Sequence, residues 1–244
     1  MLHLKKNIPQ HEDILFLDID DYAIARVGTF PWSRSYMAEG LLLMKEFGAE
    51  YALFDIEYVN KSPLGVDVEY LDNQIPQSLE DEFGSIQENV QALFTALKNG
   101  NIPLDEAQSY IDSLQELNEQ AKAALYEDIN QILRDNDQYL GESAAFFENT
   151  FFTLNLLDQH DETVTEDIKK YAANRFSMNE IIKLSEGADL PQRNDIRPAI
   201  LPILSGAKGA GFVNVNPESD GVRRRLQLFM EYDGNYVPQL IIVP

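Results

Sequence analysis

The chain has 244 residues, 44% of them apolar, and carries 41 Asp and Glu against 19 Lys and Arg, a formal charge of −22. That length and apolar content suffice for a real core, in one large domain or two small ones. The charge argues against nucleic acid, since phosphate binding draws on clustered Lys and Arg. It also disfavours anionic lipid headgroups and attracts cations, although its commonest meaning is a solvated surface. No cysteine is present, which excludes disulfides and thiolate metal sites.

Residues 13 to 20, Asp-Ile-Leu-Phe-Leu-Asp-Ile-Asp, form an apolar run too short for a typical helix and read as a buried parallel strand feeding a loop. Gly28 and Pro31 punctuate that loop. Ser33 then reads as the N-cap of a helix whose apolar positions Met37, Leu41, Met44 and Phe47 recur at helical spacing until Gly48. Tyr51 to Ile56 is the next strand. Strand, helix, strand is a unit whose strands lie parallel and whose crossover is right-handed.

From about Pro63 to Asp135 the sequence is polar and helix-rich. Leu79, Phe83, Ile86, Val90, Leu93 and Leu97 follow a helical period, Asn99-Gly100-Asn101 breaks it, and Ile111, Leu114, Leu117, Ala121, Leu125, Ile129 and Ile132 resume it. This predicts a helical hairpin. The spacing across both segments is too irregular for one long coiled coil, so the hairpin is expected to pack against the core or a partner chain.

Tyr139 to Phe147 reads as helix and Thr150 to Leu157 as a third strand; 158 to 166 is a polar loop, and Ile168 to Phe176 a short helix. Ala188 to Ile196 is again loop by its Asp-Leu-Pro and Arg-Asn-Asp content. Pro198 is placed near the start of a helix running to Gly206. Gly211 to Val215 is a fourth strand, Asn216 to Gly221 a turn, and Arg225 to Tyr232 an antiparallel continuation. Asp233-Gly234-Asn235 is a hairpin turn before Tyr236 to Val243. The fold class is therefore α/β: a mixed, largely parallel sheet flanked by helices, with a C-terminal antiparallel hairpin and an inserted helical hairpin.

Carboxylates at strand ends are the main candidates for chemistry. Asp18 and Asp20 at the end of the first strand invite a metal-dependent phosphohydrolase reading, in which one carboxylate attacks phosphorus and both hold magnesium. Tyr22 stands where such phosphatases carry Thr or Val, and no later Asp-Asp pair on a strand end is evident. Asp20 and Asp55 end two strands of one unit, where ligand crevices of parallel sheets lie, and Ca2+ or Mg2+ takes oxygen ligands of this kind, with Glu57 or Asp220 completing the set. The competing expectation is structural: Asp20 and Asp55 cap helices or pair with Arg34 and Arg224. Asn216-Pro-Glu218-Ser-Asp220-Gly221 has ligands at alternate positions but Gln227 at the twelfth, so a tight turn is expected there instead of a calcium loop. His3, His11 and His160 show no metal-binding or His-carboxylate spacing, and Gly206-Ala-Lys-Gly209-Ala-Gly211 precedes a strand where a phosphate loop follows one.

Two patches resemble the CHASE2 family of sensor domains. The first, from His11 to Val59, has an apolar run ending in Ile19-Asp20-Asp21, then Pro31-Trp32-x-Arg34, a helix closed by Gly48-Ala49, and a strand ending in Phe54-Asp55-Ile56. The second, Gly211 to Phe229, resembles the family's Gly-x-x-Asn and Asp-Gly-x-x-Arg segment, with Asp220, Gly221 and Arg224 at matching positions. The resemblance implies one extracytoplasmic sensor domain spanning 1–244, with residues 63–135 an insertion before the family's Asp-x-x-Leu helix near Asp137. It implies no catalysis in this segment, an unknown small ligand or extracytoplasmic protein as input, and a homodimer in the full receptor. It further implies flanking transmembrane helices and a cytoplasmic adenylate or guanylate cyclase, histidine kinase or Ser/Thr kinase. No apolar run here reaches the roughly 20 residues of a span, Met1 to Lys6 lacks a signal-peptide core, and Val237 to Pro244 stops inside an apolar run, so the chain reads as an excised ectodomain. Ligand-binding candidates are Asp20, Asp21, Trp32, Arg34, Asp55, Glu57, Asp220 and Arg224, with Asp20 and Asp55 as the metal candidates.

Overall fold

The computed structural model describes residues 11–180, 189–215 and 220–243. The chain divides into two compact units, Met1–Trp32 and Ser33–Pro244. In the first, the predicted strand at 13–20 does not form. Leu15, Phe16 and Leu17 are 77%, 74% and 66% exposed in irregular backbone, so an apolar run has found no ladder to complete. The first regular element among the described residues is helix α1, Asp21–Val27, and Gly28 closes it at φ 120°.

The second unit begins with α2, Arg34–Glu46, capped as expected by Ser33, whose side chain accepts from the amide of Ser35. Strand β1, Ala52–Phe54, follows. Next comes the hairpin: α3, Val68–Lys98, and α4, Ala107–Ile132, joined near Asn99. Its base is clamped by two short antiparallel strands, β2 at Gly65–Val66 and β3 at Leu133–Arg134. Pro76 lies inside α3.

Helix α5, Asn136–Phe147, leads into β4, Thr150–Leu157, the central strand. One edge of β4 pairs in parallel with β1, and farther along it pairs antiparallel with β5, Asp195–Arg197. Its other edge pairs in parallel with β6, Gly209–Phe212. Asn214 extends that edge, its side-chain amide both accepting from the N–H and donating to the carbonyl of Leu156. With neighbours on both edges and layers on both faces, β4 is buried at six of eight positions, as its unbroken apolar texture requires.

Helix α5 packs against both α2 and α7, Leu201–Gly206, and the three share a core with the sheet. That core includes Leu41, Leu140, Phe147, Phe152, Ile203 and Phe212. Pro202, not Pro198, is the proline in the first turn of α7. Helix α6, Glu166–Phe176, adds Ala172 and Phe176 to the core. The C-terminal hairpin is β7, Phe229–Tyr232, with β8, Asn235–Pro238. Asp233 and Gly234 both adopt positive φ, 49° and 73°, the backbone of a tight two-residue turn. Residues 225–228, expected to start this strand, are irregular.

Candidate functional site

The carboxyl ends of β1, β4 and β6 point the same way, and the segment after β4 holds the densest charge network among the described residues. Lys169 lies on α6 between Ile168 and Ala172, so the packing face of an amphipathic helix carries an ammonium into the interior, where its side chain is 0% exposed. Burial of a charge is costly unless every donor is used. Lys169 Nζ donates to Asp195 Oδ2 at 2.7 Å and to the Asp161 carbonyl at 2.8 Å, and Glu166 Oε1 lies 3.2 Å away. Asp195, also buried, accepts from the amides of Asp161 at 2.6 Å and Ile196 at 2.8 Å.

The electrostatics follow from that geometry. Burial pushes the Lys169 pKa down, but hydrogen bonds to Asp195 and Glu166 and their charges outweigh it, so the ammonium titrates above the ordinary lysine value. For Asp195, burial raises the pKa, and the Asp161 amide, Lys169 and the Ile196 amide together bring it below the usual carboxylate value. Asp161 is held low as well, first by the Thr163 hydroxyl and amide and then by Arg197. His160 sits at the solvent-facing lip, with Nδ1 3.1 Å from Asp195 Oδ2 and Nε2 3.8 Å from Glu166 Oε1. The fold therefore gives His160 the carboxylate neighbours that its sequence spacing does not announce.

A second cluster ties the amino ends of α2 and α5. Arg34 occupies the first position of α2, where a helix dipole disfavours a cation, and its guanidinium is compensated by Asp137 in the first turn of α5 and by the Asn60 carbonyl. Asp137 also accepts from the Ser62 amide at 3.1 and 3.2 Å. Arg34 stacks over the Tyr58 ring, 5.1 Å from its centroid. The Tyr58 hydroxyl is buried with no hydrogen-bond partner among the described residues. Burial pushes its pKa up, with Arg34 acting weakly against this.

The other sequence candidates are dispersed. Asp20 Oδ1 caps α1 by accepting from the Ala23 amide at 2.8 Å, and Asp21 is exposed in that helix's first turn. Asp18 is exposed in irregular backbone, so the strand end on which a phosphohydrolase would rest is not formed. Trp32 Nε1 donates to the Gly28 carbonyl at 2.7 Å, and its ring meets Phe30 edge-on at 6.1 Å. Asp55 and Glu57 are exposed beyond β1. Asp220 pairs with Arg224 at 2.7 Å, and hydrogen bonds from Arg224 and then the Val222 amide hold its carboxyl low. Arg34 and Arg224 thus do anchor loops, but through Asp137 and Asp220 and not through Asp20 or Asp55. Asn216 and Glu218 lie outside the described residues, as does His3. Among the described residues no three His, Asp or Glu side chains gather in a group able to hold a metal ion.

The sequence pointed to Arg34 but not to its partner, although Asp137 opens the Asp-x-x-Leu helix. Lys169 and Asp195 went unmarked. The available signal was a lysine standing at a position spaced with Ala172, Ala173 and Phe176, on a helix face that is otherwise apolar.

Among the described residues no helix is long and apolar enough to cross a membrane. No curated protein and no solved structure matches the chain. A family model described as the CHASE2 domain matches residues 1–243. CHASE2 domains are extracytoplasmic, sensory and not catalytic. With essentially its whole length matched, this chain belongs to the CHASE2 family.

Proposed function

We infer that this chain is the signal-sensing part of a membrane receptor, tethered by flanking transmembrane helices and controlling a cytoplasmic nucleotide cyclase or histidine kinase. The observation that carries the reading is the family match over residues 1–243. The chemistry of the buried clusters agrees with it. The buried charges of the Lys169 network, Lys169 and Asp195, spend their hydrogen-bonding capacity on one another and on backbone, which serves to hold loops. The hairpin reads as an insertion within a single sensor domain, because it leaves and re-enters the α/β unit through the adjacent strands β2 and β3.

A receptor of this kind passes its signal by changing how two copies pair, since relative motion of the sensor units is what reaches the effector. The domain in isolation associates weakly, because the membrane normally supplies the effective concentration. The chain has no cysteine, so a single introduced one reports on pairing with no background from this segment. In the full-length receptor, cross-linking through a cysteine placed at an exposed position such as Glu57 should change effector output, and reduction should restore it. An output indifferent to pairing at several such positions overturns the reading. So does phosphoesterase activity of the purified chain that disappears in Asp18→Asn.

A further inference from the structure

The hairpin helices are long, acidic and poorly covered. Helix α3 buries none of its 31 residues, and α4 only Ala107 and Ala121. At about 100° per residue, Leu79, Phe83, Ile86, Val90, Phe94 and Leu97 fall in one row along α3. Phe83 is 52% and Phe94 67% exposed. On a neighbouring row of α3, Leu93 and Ala96 line a cleft between the helices together with Leu114 and Leu117 of α4, while Phe83, Val90 and Phe94 of the outer row stay exposed. On α4, Ile111, Tyr126 and Ile129 are likewise exposed. Because the helices run antiparallel, the two outer rows open on the same broad side of the hairpin.

Charge decides what fits there. Residues 68–132 carry thirteen Asp and Glu against Lys98 and Lys122, a net −11 within the whole chain's −22. Lys122 is already engaged with Glu119 at 2.7 Å. Glu80 and Glu82 flank the α3 row on its two sides by the same helical geometry. A second copy laid on this face would bring its own −11 against the first, and like charge across an interface opposes binding. A basic partner is attracted instead.

We propose that this side of the hairpin is a docking surface for a polypeptide presenting a cationic amphipathic helix, with its apolar stripe on the Phe83–Phe94 row and its Lys and Arg against the acidic rims. Gaps of three and four residues between apolar positions are what a helix laid alongside reads. Binding is a property of the chain itself. Its meaning as receptor input rests on the sensor reading above, and the two are tested separately.

The probe is a synthetic helix as long as α3 with Leu along a heptad seam and Lys on both flanks. A control peptide has the same seam with Glu flanks. Fluorescence anisotropy with the full 244-residue protein should show the Lys peptide binding and the Glu peptide at least about tenfold weaker, with affinity falling as salt is raised. Phe83→Ser/Phe94→Ser should weaken the Lys peptide about tenfold while far-UV circular dichroism stays unchanged, since both rings are exposed; Glu80→Gln/Glu82→Gln should reduce the salt dependence. Equal binding of both peptides, or Lys-peptide binding untouched by the Phe substitutions, overturns the proposal. So does self-association in sedimentation that Phe83→Ser/Phe94→Ser abolishes, because a second copy is then the occupant. Binding as expected with no change in output of the full-length receptor supports the docking surface and counts against the receptor reading instead.

Discussion

Lys169 Nζ lies 2.7 Å from Asp195 Oδ2, with both side chains shut off from solvent, and this pair fastens α6 and the loop after β4 to strand β5. Removing one partner strands the other charge in the interior. Lys169→Met and Asp195→Asn should each cost about 3–5 kcal/mol. In urea unfolding, Lys169→Met/Asp195→Asn should fall short of the sum of the single losses by about 1–3 kcal/mol, the coupling expected of groups in contact. Additive losses would mean that the two side chains stabilise the fold independently.

The same groups set the pH range of stability. Asp195 and Asp161 have folded-state pKa values below their unfolded ones. Their contribution is therefore complete above the unfolded value of about 3.9 and is lost as pH falls through the folded values. Lys169 is shifted up, so its contribution is complete below about 10.4 and is lost as pH rises through its higher folded value. Stability measured across pH should show a plateau between these limits with an acid limb below about pH 4. Asp195→Asn should lower the plateau and make the acid limb shallower.

Helices α5 and α7 meet backbone to backbone. A Cβ on Gly141 would lie 2.2 Å from the Pro202 carbonyl oxygen, and one on Gly206 1.9 Å from that of Gly141. Neither obstacle is a flexible side chain, so the helices must move apart to admit a methyl. Gly141→Ala and Gly206→Ala should each destabilise by about 1–3 kcal/mol, whereas Gly84→Ala, with open space around it in α3, should be neutral or stabilising. A stable Gly206→Ala would show that this contact can relax.

Where local pattern and tertiary context agree, the sequence is enough. Ser33 and the Leu41 period place α2, the Asn99-Gly100 break places the hairpin turn, and Asp233-Gly234 places the last one. The run at 13–20 fails because strand texture states only that a segment could pair, and a ladder needs an edge to receive it. The site residues fail for a related reason. An exposed Asp55 and a buried Asp195 look alike in sequence, since a carboxylate's role is fixed by partners far along the chain. Asp195 finds its lysine 26 residues earlier, and Arg34 its aspartate 103 residues later, and no local spacing encodes either distance.

The hairpin leaves the α/β unit at Val66 and returns at Leu133, residues paired directly across the β2–β3 ladder. A short glycine turn can therefore join them without stretching the chain. The residues that anchor this region, Arg34, Asn60, Ser62 and Asp137, all lie outside the excised segment, and the buried cluster around the sheet takes no member between Tyr58 and Leu140. The shortened protein should keep its near-UV circular dichroism and unfold in one cooperative transition. Its urea m-value should fall, because less surface is exposed on unfolding. Its net charge should drop by half, eluting it earlier in an anion-exchange gradient. Loss of the near-UV signal or of cooperativity would make the hairpin a structural part of the α/β unit rather than an insertion.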